Sequence, residues 1–226
     1  MRELISMVCV TNRPHFAEAV RASYEGQRWP QKELVVIDSS EDGTILKDYA
    51  DVHVRAEPGT WVGPLRNIAL RATTGDYLMW FDDDDWRHPD LTRVLMGRME
   101  AEGTEMAGLN CYFWIDIDGR MSRRYPCSNW PVFAASIYRN LPEMPPFRQK
   151  PLHKTDTYWL LRYLEKIEDS KALVNRPEMF GYVHHTSNVH NEEEPKGKAT
   201  NEHDARFLPG SPLGLSAHME RLRVTV

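Results

Sequence analysis

The sequence predicts an α/β fold: a doubly wound, mostly parallel sheet with a smaller C-terminal portion attached. Three observations carry that reading. Short apolar runs alternate with segments of helical periodicity through the first half of the chain. The runs at 4–10 (LISMVCV), 33–38 (ELVVID) and 77–81 (YLMWF) are largely apolar rather than alternating, the pattern of strands covered on both faces. Each of the three runs then stops at polar groups able to hold a ligand.

In order, the first strand is expected over 4–10, and Pro14 suits the first turn of the helix that follows. Phe16, Ala19, Val20 and Tyr24 give residues 15–27 their helical spacing, which ends at Trp29-Pro30. A second strand at 33–38 closes in the turn 39–44, so a right-handed parallel crossover is the expected connection. A short third strand is placed at 52–54 and a helix over 64–72, with Leu65, Ile68, Ala69 and Ala72 inward. Gly75-Asp76 turns into the central strand. Beyond it, a helix is read over 91–101, a strand over 106–117 and a hairpin turn at Asp118-Gly119. A short helix is read over 134–140, and an amphipathic helix over 155–167 with Trp159, Leu160, Tyr163 and Leu164 for burial. Strands are placed at 171–175 and 179–185. Residues 1–115 form the α/β half and 116–226 the other half of one compact domain.

The chain has 226 residues and a net charge of −5, so no global basic field draws it to nucleic acid or membrane. Three scattered cysteines without metal spacing read as reduced thiols, which implies a cytoplasmic protein. No apolar run reaches transmembrane length.

Four carboxylates, Asp82 to Asp85, follow the central strand. On an extended backbone Asp82 and Asp84 share one face, and such a pair suits a hard divalent ion. Thr11 and Arg13, Asp38, and the helix opening at Gly63, Arg66 and Asn67 occupy corresponding ends of other elements. If these groups meet at one sheet edge they describe a nucleotide site. The plainer readings are an acidic turn, a turn cap for Asp38 and a surface position for Arg66.

The order of these segments resembles the family 2 glycosyltransferases, which have the GT-A fold. Residues 35–44 (VVIDSSEDGT) resemble that family's V-V-D-D-G-S-T-D-G-T signature, with Ile37 for the first aspartate and Ser39 for the glycine. Arg66-Asn67-Ile68-Ala69 resembles the end of A-R-N-x-G, and residues 75–85 resemble G-D-Y, an apolar strand and a D-x-D-D motif. The resemblance covers residues 4 to about 95 well. It implies nucleoside contacts from Thr11 and Asp38, a place for Arg13 on the donor side, and Arg66 near the base or pyrophosphate. It also implies Asp82 at the ribose or donor sugar and Asp84 on a Mn or Mg ion. In the second half, Lys154-Thr155-Asp156 lies where the family carries two acids, and the resemblance makes Asp156 the base; a helix cap is the plainer role. Residues 182–188 (YVHHTSN) resemble Y-R-x-H-x-x-N, which implies His185 as a further metal ligand, before His184.

These readings describe transfer of a sugar, with inversion, from a nucleotide-sugar, a UDP-sugar first, to an acceptor with a free hydroxyl. A glycan is the first expectation for that acceptor, with a protein or a hydroxymethylated DNA base as others. A non-catalytic nucleotide-binding module and a nucleotidyltransferase are the alternatives; the latter would carry a Gly-rich, Lys-containing phosphate loop near the first strand, and Thr11-Asn12-Arg13-Pro14 has neither Gly nor Lys.

Overall fold

A computed structural model describes residues 3–116, 121–124, 128–149, 155–184 and 221. In chain order the strands and α-helices are β1 (Ile5–Thr11), α1 (Ala17–Gly26), β2 (Lys32–Asp38), β3 (Val52–Arg55), α2 (Val62–Ala72), β4 (Tyr77–Trp80), β5 (Trp86–Arg87) and α3 (Leu91–Glu102). They continue with β6 (Met106–Leu109), β7 (Phe113–Asp116), β8 (Met121–Arg124), β9 (Ser136–Arg139), α4 (Thr155–Lys166), β10 (Lys171–Val174) and β11 (Phe180–His184).

Seven strands form the main sheet in the order β10-β6-β9-β4-β1-β2-β3, parallel except for β9. A second sheet runs β5-β11-β7-β8. The strand alternation sorts the core into layers. Ile5, Met7, Cys9, Leu34, Val36 and Met79 pack with α1 and α3. Val8, Val35, Ile37, Leu78 and Trp80 pack with α2 and α4. The main sheet is therefore covered on both faces, which is why its strands read as largely apolar runs. Trp86, Phe113, Ile115 and Val183 of the second sheet close on Phe16 and Ala19.

The doubly wound fold expected for the first half is present, including the β-α-β-β-α-β order. The second half departs from expectation in three places. Residues 136–139, expected in a helix, are a strand that fills the gap between β4 and β6, where both neighbours need backbone partners. The single strand expected over 106–117 is two strands in different sheets, because the chain crosses from one sheet to the other at Asn110, whose N–H reaches the Val174 carbonyl at 3.2 Å. The two-residue β5 carried no apolar run to announce it. Residues 117–120 of the expected hairpin turn lie outside the described residues, but β7 and β8 pair antiparallel as a hairpin requires. Strands from both halves enter the main sheet. Cys9 and Cys111 are buried. Among the described residues no helix is long and apolar enough to cross a membrane.

Candidate active site

The parallel strands β1, β2 and β3 end in register: Thr11 lies beside Asp38, and Asp38 beside Arg55. Next to β1, β4 ends at Trp80 and hands the chain to the four carboxylates. Open α/β sheets bind ligands at this carboxyl edge.

The expected alternation of the carboxylates fails, because the backbone bends at Asp83 and Asp84 instead of staying extended. Each aspartate instead has its own surroundings. Asp83 is 3% exposed; its Oδ2 accepts from the Thr11 hydroxyl at 2.6 Å and from Arg13 Nε at 3.2 Å. Arg13 Nη2 also pairs with Asp83 Oδ1, and it donates to Asp84 Oδ2 at 2.8 Å. Asp85 accepts from the Val183 N–H at 3.2 Å, and among the described residues its buried Oδ2 has no hydrogen-bond partner. Asp82 is the open one, its side chain 33% exposed, with Oδ1 3.4 Å from Arg66 Nη2.

Arg66 joins this loop to the second half of the chain. Its Nη1 pairs with Asp156 Oδ1 at the start of α4, so one guanidinium bridges Asp82 and Asp156. Its plane rests near the rings of Phe133 (4.8 Å), Trp80 (5.4 Å) and Phe147 (5.4 Å). That aromatic floor continues through Trp159, stacked on Phe147 at 5.1 Å and on Tyr163 at 5.3 Å. The start of α2, expected to be open to phosphate, is covered. Asn67 exchanges two hydrogen bonds with the Phe147 backbone, and a Cβ on Gly63 would collide with the Arg148 carbonyl.

Asp38 is fully enclosed. Oδ1 accepts from the Ser40 N–H (2.9 Å) and hydroxyl (2.5 Å), and Oδ2 from the Thr44 N–H (3.1 Å) and Arg55 Nη1 (2.5 Å). Burial alone would raise its pKa, but the Ser40 and Arg55 hydrogen bonds outweigh it and hold the carboxyl below its ordinary value. The carboxylate thus organises the turn at 39–44, as a turn cap does, with Ser40 and Arg55 as its partners.

Burial acts the other way on the loop. It pushes Asp83 up to about 6, against Arg13 and with help from Asp84. It raises Asp82 as well, where Asp156 adds to burial and Arg66 opposes, and it raises Asp85 strongly. The loop is short of positive charge. Beneath it the buried Arg87 donates to the carbonyls of Asp82 and Asp85 at 3.2 Å, Trp80 at 3.3 Å and Ala134 at 3.4 Å. Its fork is spent on the backbone, which fixes the bend.

The structure thus groups Thr11, Arg13, Asp83 and Asp84, and separately Arg66, Asp82 and Asp156. His185 lies outside the described residues. It follows directly on β11, which Asp85 ties to the loop at Val183. Among the described residues, no three side chains of ligand type gather into a metal cluster. Asp83, Arg55 and Arg87 were not picked out from the sequence as site residues. Arg55 could have been found from its place at the end of a strand in the same row as Thr11 and Asp38; Arg87 had no comparable signal.

Comparison with known proteins agrees with this architecture. S. aureus TarS 1-349 in complex with UDP superposes with a TM-score of 0.66 at 14% identity, over 80% of this chain and 60% of that one. The mannosyltransferase PcManGT from Pyrobaculum calidifontis, in complex with GDP-Man and Mn2+, gives 0.58 at 15% identity, over 81% and 57%. The cholesterol galactosyltransferase of Borreliella burgdorferi is 21% identical over 143 residues, 60% of this chain and 40% of its own length. The chain thus spans well under two thirds of these relatives. The family described as Glycosyl transferase family 2 matches residues 7–199, and with that span the chain belongs to this family and has its GT-A fold.

Proposed function

We propose that this chain is a metal-dependent glycosyltransferase that moves a sugar from a nucleotide-sugar, of the UDP class, to an acceptor hydroxyl with inversion. The carrying observation is the Asp82–Arg66–Asp156 bridge, which brings a second-half carboxylate to the carboxyl edge of the sheet. Family membership and the UDP complex of TarS support the donor class. The Mn2+ complex of PcManGT supports a divalent ion.

The residues present fit such an ion. They offer oxygen ligands in a cation-poor loop, one of them the unpartnered Asp85 Oδ2 beneath the surface. Asp84 and His185 would hold the ion, with Asp82 beside them. When bound, it supplies positive charge to the departing nucleoside diphosphate.

The chain's own groups do the rest. Asp156, with its side chain 36% exposed, takes the proton of the acceptor hydroxyl while that oxygen attacks the anomeric carbon. The bond from that carbon to the diphosphate breaks, its electron pair leaves with the nucleotide, and a single displacement inverts the centre. Arg66, held by its aromatic floor, keeps Asp156 beside the donor. Thr11, Arg13 and the turn held by Asp38 form the donor side. A glycan hydroxyl is the acceptor class we take from the sequence reading, whereas the galactosyltransferase relative is named for cholesterol.

The test is UDP binding and UDP-sugar turnover, each with Mn2+ and with EDTA. Metal-dependent binding of UDP, with release of UDP from its sugar, is the expected result; replacing Asp38 with Ala should weaken that binding. Full turnover in EDTA would remove the ion. Pyrophosphate release would make the protein a nucleotidyltransferase, and tight binding without turnover a non-catalytic module.

A further inference from the structure

We propose that Arg13 is the resident counter-cation of the carboxylate loop, and that it competes with the divalent ion for Asp84 and thereby couples ion binding to nucleotide binding. The inference rests on the metal-dependent reading above and says what this chain's arginine does within it.

The observations are geometric. The loop places Asp82, Asp83, Asp84 and Asp85 in succession, and the arginines around them divide the work. Arg87 spends its fork on carbonyls from below. Arg66 serves Asp82 and Asp156. Arg13 is the arginine that meets the middle pair, with Nη2 shared between Asp83 Oδ1 and Asp84 Oδ2 and Nε on Asp83 Oδ2. Its anchor is Asp83, which the Thr11 hydroxyl also holds, and its side chain lies 4.9 Å from the Phe16 ring. Asp84 takes a single bond from it, at 2.8 Å, so this is the contact that is easily given up. The side chain is 18% exposed, against 6% for Arg66, so it is the more accessible of the two.

An ion on Asp84 faces a guanidinium already bonded to the same carboxylate. Two cations on one carboxylate repel, so an ion there weakens the bond from Arg13 to Asp84 Oδ2, and on this proposal displaces it. The Nη2 N–H thus given up can donate to a phosphate oxygen, while Nε and Nη2 stay anchored on Asp83. A nucleoside diphosphate therefore gives Arg13 a new partner at the moment the ion takes the old one. Each ligand then strengthens the other by the same factor.

Manganese binding measured by calorimetry on the intact chain, with and without UDP, tests this. Wild type should bind Mn2+ weakly alone and about tenfold tighter with UDP. Arg13→Gln should bind Mn2+ alone about tenfold tighter than wild type and gain little from UDP, with Arg13→Lys between them because it keeps charge without the fork. Should Arg13→Gln fail to fold, as read by circular dichroism, the lysine variant carries the comparison alone. Mn2+ affinity in the variants equal to or below that of wild type, with an unchanged gain from UDP, would overturn the proposal. If no protein binds Mn2+ even with UDP, the ion reading falls together with the proposal, whereas UDP binding without metal leaves the donor reading in place.

Discussion

Four adjacent aspartates, chemically identical, occupy four different environments, and the environment assigns the work. Asp83 is locked by Thr11 and Arg13, Asp85 ties the loop to Val183, and Asp84 faces Arg13. Asp82 alone reaches across to Arg66 and through it to Asp156. In the proposed reaction Asp156 is the base, since a base must reach the acceptor rather than the nucleotide and this side chain is 36% exposed. Asp156→Asn keeps the size and one acceptor for Arg66 while removing the base. It should lower kcat by a factor on the order of 10² or more with donor affinity nearly unchanged, as read by turnover beside calorimetry. Wild-type turnover in that variant would leave Asp156 as an anchor for Arg66 and return the search to the loop.

At the scale of elements, α4 is what carries the second half to the site. Its positions 156, 159, 160 and 163 lie on one face at helical spacing. Trp159, Leu160 and Tyr163 are buried there, so packing of the helix delivers Asp156 to the sheet edge. Trp159 also donates its indole N–H to the Pro145 carbonyl at 2.7 Å, which ties α4 to the proline-rich segment crossing α2. That segment presses on the start of α2 at Gly63, where an added Cβ would meet the Arg148 carbonyl well inside 3.0 Å. Alanine is the better helix former, yet here the clash should win. Gly63→Ala should cost about 1–3 kcal/mol in denaturant unfolding. A gain in stability would mean that the segment is not held against the helix.

Across the whole molecule, the edge of the sheet opposite the site is fastened by Glu33, 8% exposed, which accepts from the Ser6 hydroxyl and from the Thr74 N–H and hydroxyl at 2.8 Å. Burial raises its pKa, but these hydrogen bonds outweigh it and hold the carboxyl below its ordinary 4.5. The folded value lies below the unfolded one, so the stabilisation is complete above 4.5 and lost as pH falls through the folded value. Glu33→Gln should remove that acid limb from a curve of unfolding midpoint against pH and cost about 1–3 kcal/mol at neutral pH. A limb that persists unchanged would assign it to other carboxylates. The two ends of the sheet were unequally legible. Apolar runs and helical spacing determined the doubly wound half, and the polar groups at strand ends determined which residues gather at its edge, because those signals are local in the chain. The strand at 136–139, the bend that splits Asp82 from Asp84, the cover over the start of α2 and the clamps at Arg55 and Arg87 were decided only by the tertiary structure. Most of these depend on a partner distant in the chain: a gap between two strands, a carbonyl from residue 148, a carboxylate from residue 38, the Ala134 carbonyl for Arg87. No local pattern encodes such a partner, since its effect exists only once burial has brought the two together.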